Sequence, residues 1–310
     1  MRVLLTGSNG FLGRNLVPEL KKRYELVTFF SEDYDLRHEQ DCHNLFDFAK
    51  PDVVIHAAGN VGGIGANQAN PGAFMYDNLA MGMNVIQDAC SMREDLQKFI
   101  MLGTVCAYPK HTPVPFKEEY IWDGYPEETN APYGIAKKTL MKLVDVYHQQ
   151  YDFPGVNLVP VNMYGPHDHF NTTSSHVIPA VITKIYRAIT LKDSTISLWG
   201  TGQASREFLY APDCADAIIK AIHADVTPEP INIGTGQEIK ICELVELLAD
   251  IMGYDGEFEY STDMPDGQPR RCLDVSRAKE RLGFEAKTSL RDGLKDTVDY
   301  FYHSLEKEEK

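Results

Sequence analysis

The chain opens on a short apolar run, Arg2-Val3-Leu4-Leu5-Thr6, then a glycine-bearing stretch, then Leu12, Leu16 and Leu20 at intervals of four. The run predicts a buried strand, and the stripe predicts a helix over 11–23. The alternation repeats. Strands are predicted at 25–30, 52–58, 98–103 and 156–161, and helices at 41–49, 75–91 and 132–150. Lys50-Pro51 closes the second of these four helices, because the residue before a proline is pushed out of helical geometry. Strands alternating with helices predict a parallel sheet covered on both faces, wound by right-handed crossovers into a doubly wound α/β fold.

The rhythm changes after Tyr164. Gly165-Pro166 breaks it, and a His-, Asn-, Ser- and Thr-rich segment follows over 167–175. Helices are predicted near 176–190, 211–224 and 241–252, and 230–234 reads as one more buried strand. The expected division is a dinucleotide-binding domain over 1–165, to which parts of 206–235 return. A smaller α+β substrate-binding domain then takes 166–205 and 236–310. The tail 306–310 reads as frayed and solvated.

Composition narrows the function classes. Thirty Lys and Arg against forty-five Asp and Glu give a net charge of −15, which lacks the basic footprint of a nucleic-acid binder and suits an anionic membrane surface no better. An anionic ligand therefore requires cations gathered locally. No apolar run is long enough for a transmembrane helix. Met1 leads directly into the first strand, so no signal peptide is expected. Cys42, Cys90, Cys106, Cys214, Cys242 and Cys272 are scattered with no CxxC pair, which fits reduced cytoplasmic thiols and no metal framework.

Gly7-Ser8-Asn9-Gly10-Phe11-Leu12-Gly13 has the spacing GxxGxxG between the first strand and the first helix. Glycines there allow a tight turn and close approach of a pyrophosphate, while the helix N-terminus supplies N–H donors. The residues leave NAD and NADP open. Glu32 and Asp33 lie 19 and 20 residues past Gly13, the distance at which an acid would meet a ribose 2′-OH. Arg14 stands where it could meet a 2′-phosphate.

Tyr133 and Lys137 form YxxxK within a predicted helix, so both side chains share one face. An ammonium beside a phenol is expected to lower the phenol's pKa and fit it for proton transfer during hydride transfer. Thr104 and Cys106 follow the fourth strand at its C-terminal end, where ligands bind in such sheets. If the backbone stays extended, both face one side. On spacing alone Cys106 equally fits an inert small hydrophobe.

These motifs resemble the extended short-chain dehydrogenase/reductase superfamily. Within it the whole chain resembles the GDP-L-fucose synthase family. The specific segments are Val61-Gly62-Gly63-Ile64, Cys106-Ala107-Tyr108-Pro109, Asn162-Met163-Tyr164-Gly165-Pro166-His167-Asp168, Ser175-His176-Val177-Ile178-Pro179 and Pro265-Asp266-Gly267-Gln268-Pro269-Arg270. The resemblance implies epimerisation at C3 and C5 of a GDP-4-keto-6-deoxy-mannose-type sugar, then NADPH-dependent reduction at C4. Cys106 and His176 would be the acid/base pair, with Thr104, Tyr133 and Lys137 serving reduction. It implies cofactor contacts at Gly7, Asn9, Gly10, Phe11, Leu12, Gly13, Arg14, Leu102, Gly103, Lys137, Pro160, Asn162 and His176. Substrate contacts are implied at Lys184, Trp199, Arg206, Asp266 and Arg271, and a homodimer through the helices at 75–91 and 132–150.

Five departures bear on cofactor and sugar. Asn9 and Phe29-Phe30-Ser31 stand where bacterial members often carry arginines, which leaves NAD(H) open. Asn60, Met264 and Val161 replace a lysine, a lysine and a threonine, leaving room for a related nucleotide sugar. Val105-Cys106 replaces the Asp-Glu pair of the superfamily's dehydratases. A 4-epimerase, a 4,6-dehydratase and a non-catalytic nucleotide sensor are the competing readings, and intact Thr104, Tyr133 and Lys137 weigh against the last.

Overall fold

The computed structural model describes residues 1–170, 175–261 and 267–308. The first half runs β1 (Arg2–Thr6), α1 (Phe11–Lys21), β2 (Glu25–Val27), α2 (Glu39–Ala49), β3 (Val53–His56), α3 (Ile64–Ala69), α4 (Pro71–Ser91), β4 (Lys98–Leu102), α5 (Ala131–Tyr151) and β5 (Gly155–Pro160). Two 3₁₀ turns, Val105–Ala107 and Glu118–Trp122, lie between β4 and α5. The second half runs β6 (Asn162–Tyr164), α6 (Val177–Leu191), β7 (Thr195–Trp199), β8 (Ser205–Tyr210), α7 (Ala211–His223), β9 (Ile231–Ile233), β10 (Glu238–Lys240), α8 (Ile241–Met252), β11 (Glu257–Ser261), β12 (Arg270–Arg271), α9 (Ser276–Leu282) and α10 (Leu290–Glu308).

The main sheet has six parallel strands in the order β2-β1-β3-β4-β5-β9. Every residue of β3, β5 and β9 is buried, as is all of β1 and β4 beyond the first residue, which is why these strands read as unbroken apolar runs. β9 comes from beyond Gly165, so the sheet closes with a strand from the second half. A separate apolar cluster joins α6, β7, β8, α8 and α10 through Ile182, Ile185, Leu198, Leu244, Leu248 and Leu294.

Several elements differ from expectation. β2 ends at Val27 and not at residue 30, because β1 pairs only with residues 25–27. The expected strand at 52–58 shortens to Val53–His56. Residues 306–308 continue α10; residues 309–310 lie outside the described part. α4 and α5 pack on each other within the chain: Tyr147 Oη donates to Gln87 Oε1 at 2.6 Å. Among the described residues no helix is long and apolar enough to cross a membrane, and all six cysteines are free.

Candidate active site

Strand order reverses at β1, which has β2 on one side and β3 on the other. The crevice beyond the carboxyl ends of β1 and β3 is where an open α/β sheet takes its ligand. The glycine turn sits there. Gly7 has φ +73°, and a Cβ on Gly13 would lie 2.1 Å from the Gly7 carbonyl oxygen, so α1 can pack this close only on glycine. Gly10 caps α1 with no side-chain cap, leaving the first-turn N–H groups for an anion. Phe11 and Leu12 begin that turn. Arg14 is exposed, and its Nε donates to the Asn9 carbonyl at 2.9 Å. Glu32 and Asp33 are exposed on a turn beyond the end of β2.

Deeper in the crevice, Thr6 Oγ1 hydrogen-bonds His56 Nδ1 at 2.9 Å and accepts the Ala58 N–H at 3.1 Å. Burial, reinforced by the nearby Lys137 ammonium, pushes His56 down to about 3, so it is neutral at all ordinary pH. Lys137 is 4% exposed, and burial lowers it to about 8. Among the described residues no carboxylate or hydrogen-bond acceptor meets its Nζ. A lysine buried in this way, with no described acceptor at its ammonium, fits a dinucleotide, whose ribose hydroxyls and phosphates are acceptors.

Around the end of β4, Leu102 is buried and the Gly103 N–H donates to the Leu158 carbonyl at 2.7 Å. Thr104 stays extended, but residues 105–107 then turn as a 3₁₀ helix, and the Cys106 N–H donates to Thr104 Oγ1 at 3.2 Å. Cys106 therefore reaches the site by a turn, not by strand alternation as expected from an extended backbone. Tyr108 anchors that turn: its hydroxyl donates to Asn232 Oδ1 of β9 at 2.7 Å. A Cβ on Gly134 would lie 2.3 Å from the Cys106 carbonyl oxygen, so only glycine lets the start of α5 approach the cysteine and set Tyr133 beside it.

Tyr133 departs from the expected acidified phenol. Burial raises its pKa, Cys106 adds to the rise, and a hydrogen-bond interaction with Thr104 opposes it. Lys137 is not among the groups acting on it. Lys137 is buried and Tyr133 half-buried, and the ammonium lies close enough to His56 to act on it. The phenol is thus protonated at neutral pH, the form needed to donate to a developing alkoxide.

The structure brings together Thr104, Cys106, Tyr133 and Arg271. Arg271 Nη1 donates to Cys106 Sγ at 3.7 Å. His176 stands at the N-cap of α6, accessible from solvent yet among enough protein to lower its pKa, with His169 adding to the effect. A side chain on a cleft wall is both reachable by water and poorly hydrated. None of its described contacts is Cys106 or Tyr133. Pro160 ends β5, and Asn162 Nδ2 donates to the Glu207 carbonyl at 3.0 Å. Lys184 Nζ donates to the Ser197 carbonyl of β7 at 2.8 Å, and Trp199, at the end of that strand, is 61% exposed. Arg206 Nη1 donates to the Ser205 carbonyl at 2.7 Å. Asp266 lies outside the described residues. Depressions of 370 Å³ over Pro109–Pro113 and Asp123–Pro126, and of 290 Å³ over Lys117–Glu119 and Arg277–Arg281, hold none of the reactive side chains.

Sequence reasoning missed three polar residues. Glu207 is fully buried and accepts N–H bonds from Leu273, Thr235 and Gly236 at 2.6, 2.5 and 2.8 Å. Gln268 is buried against Arg271. Asp168 is buried, its Oδ2 meets no partner among the described residues, and burial raises it to about 7. The only signal for Gln268 and Asp168 was inclusion in the specific segments quoted above; Glu207 lies outside them, next to the expected substrate contact Arg206.

The chain is similar to known proteins over most of its length. Residues 3–234 match the model of the NAD dependent epimerase/dehydratase family. A GDP-L-colitose synthase of Yersinia pseudotuberculosis is 38% identical, covering 97% of this chain and 98% of its own. A GDP-L-fucose synthase of Sinorhizobium fredii is 37% identical, covering 98% and 96%. Among solved structures, a GDP-mannoheptose C4 reductase from Campylobacter jejuni with NADP bound superposes with a TM-score of 0.87 at 29% identity, covering 97% and 98%. The glycine cradle, the Tyr133–Lys137 helix and a family match over most of the length identify the chain as a member of the NAD dependent epimerase/dehydratase family.

Proposed function

We propose that the chain inverts C3 and C5 of a GDP-4-keto-6-deoxy-mannose-type sugar and reduces its C4 with NADPH, giving GDP-L-fucose. The observation that carries this is a thiol at the reductive centre. Cys106 meets Thr104, Tyr133 and Arg271 in one place, and reduction alone has no use for a cysteine. The GDP sugars named for the relatives, and the NADP of the solved reductase, support the substrate class and cofactor.

The residues divide the work. Protons α to a keto group are acidic, and inversion needs removal and return from different faces. Cys106 and His176 are the two proton carriers; His176, kept neutral by its surroundings, is ready to accept one. Gly7, Gly10 and Gly13 with the start of α1 would hold the dinucleotide phosphates, and Lys137 the nicotinamide ribose. When bound, NADPH supplies the hydride to C4. Tyr133 gives its proton to the C4 oxygen, and Thr104 orients that oxygen. Arg206, Lys184 and Trp199 are assigned to the nucleotide end of the substrate. We further assign a cytoplasmic homodimer: the free thiols support the compartment, and the exposed Tyr76 and Met83 of α4 support the interface.

A related GDP-4-keto sugar is the second reading, favoured by the 38% identity to the colitose synthase. Deuterium wash-in from D₂O tests the division. Cys106→Ser and His176→Gln should lose wash-in at C3 and C5, and Tyr133→Phe should keep wash-in but lose reduction. Undiminished wash-in in the first two variants would sink the assignment. A kcat/KM for NADH equal to that for NADPH would overturn the cofactor.

A further inference from the structure

Family resemblance places Arg271 among the substrate contacts, at the nucleotide diphosphate or the sugar, and its own contacts point to one of the two ends. The residue is 7% exposed. Its Nε donates to Gln268 Oε1 at 3.2 Å and its Nη1 to Cys106 Sγ at 3.7 Å. Among the described residues no carboxylate pairs with it. The guanidinium is held from two sides. Gln268 is itself 6% exposed and donates through Nε2 to the Lys110 carbonyl at 2.7 Å. Two residues beyond Arg271, the Leu273 N–H is held by the fully buried Glu207 carboxylate at 2.6 Å. Arg271 also lies in register with Arg206 across the β12–β8 pair, so a second guanidinium already stands next to it for the phosphates.

We propose that Arg271 works at the sugar end of the site, where it fixes the Cys106 sulfur and places positive charge beside the epimerised carbons. This rests on the epimerase reading above. In each inversion, the base takes the proton from C3 or C5 and the C–H electron pair moves toward the 4-keto oxygen. The acid then returns a proton to the opposite face, and the pair returns to the ring carbon. Arg271 gains and loses no proton, because a guanidinium stays charged throughout. Its fixed fork holds the thiol in line and opposes the negative charge that develops during proton removal. Glu207 and Gln268 are positioning residues for that fork.

The test uses the full chain with GDP-4-keto-6-deoxymannose in D₂O, without reduced cofactor, and reads wash-in at C3 and C5 at saturating sugar nucleotide. Calorimetry of GDP alone reads the nucleotide end separately. Arg271→Met should slow wash-in by ~10- to 100-fold and change the GDP Kd by less than about threefold. A tenfold weaker GDP Kd with wash-in intact would return Arg271 to the diphosphate and overturn the proposal. Should the methionine variant fail to fold, Arg271→Lys decides. It keeps a charge but not the fork, so slower wash-in is expected, and a parental rate refutes the role. Parental protein that shows no wash-in at all would overturn the epimerase reading itself. Wash-in equal in parent and Arg271→Met would overturn only the role of Arg271.

Discussion

Replacing Lys137 with methionine should stabilise the nucleotide-free protein at neutral pH while removing its ability to reduce. The residue is 4% exposed, its ammonium has no described partner, and it titrates at about 8 in place of the ordinary 10.5. A displacement of that size corresponds to about 3 kcal/mol of folding free energy lost while the amine is protonated. The sign follows from proton counting. Between pH 8 and 10.5 the unfolded chain still holds the proton that the folded chain has released, so this contribution to stability rises with pH. Below pH 8 both states are protonated and the full penalty applies. Methionine has no charge to bury, so the variant should melt about 6 °C above the parent at pH 7, taking roughly 2 °C per kcal/mol for a chain of this size. The gap should narrow steadily from pH 8 to 10. His56 does not confuse the reading, because it is neutral across that range. Thermal melts of both proteins over pH 7–10 measure the gap. NADP should then raise the parent's melting temperature more than the variant's. A variant that melts below the parent at pH 7, or a gap that stays constant with pH, would refute the buried, uncompensated ammonium.

Two further changes probe neighbouring features. Asp168 titrates at about 7 and not at 3.8, so its folded form holds the proton longer than the unfolded chain, and stability is lost as pH rises between those values. Urea unfolding of Asp168→Asn should match the parent near pH 4 and exceed it by about 4 kcal/mol at pH 8; equal differences at both ends would contradict this. Gly134→Ala places a Cβ 2.3 Å from the Cys106 carbonyl oxygen, so wash-in and reduction should fall together by more than ~10-fold. Gly72→Ala, where no atom lies within 4 Å, should leave both rates unchanged and serves as the comparison.

Much of the first half was legible because burial there is complete. β3 and β5 have no exposed position, so composition alone marks them, and Leu12, Leu16 and Leu20 carry the helical stripe between. The second half was harder for different reasons at different places. β7 alternates exposed and buried residues from Thr195 to Trp199, a period-two signal that was present and passed over. α10 likewise buries Leu294, Val298 and Phe301 at helical spacing. β12 is two residues long and exists only because β8 offers an edge, so no local pattern could mark it. The site shows the same division. Tyr133 and Lys137 are four apart on one helix, and their spacing announces them. Arg271 and Cys106 are 165 residues apart, and only the folding of β12 onto β8 brings them together.

The charge balance gains a sharper meaning from that pairing. The chain has forty-five carboxylates for thirty cationic side chains, so a buried cation should easily find a partner of opposite sign. The surface cations do: Arg37 meets Asp35 and Asp77, Arg277 meets Glu118 and Glu119, and Arg281 meets Glu229. Lys137 and Arg271 are buried and meet none among the described residues. Burying a charge without a counter-charge is costly, and a fold with surplus carboxylates could have neutralised both by one substitution each. On the function proposed above, these two buried cations, which meet no carboxylate among the described residues, are where negative charge arrives from outside the chain: the nucleotide at Lys137 and the charge developing on the sugar at Arg271.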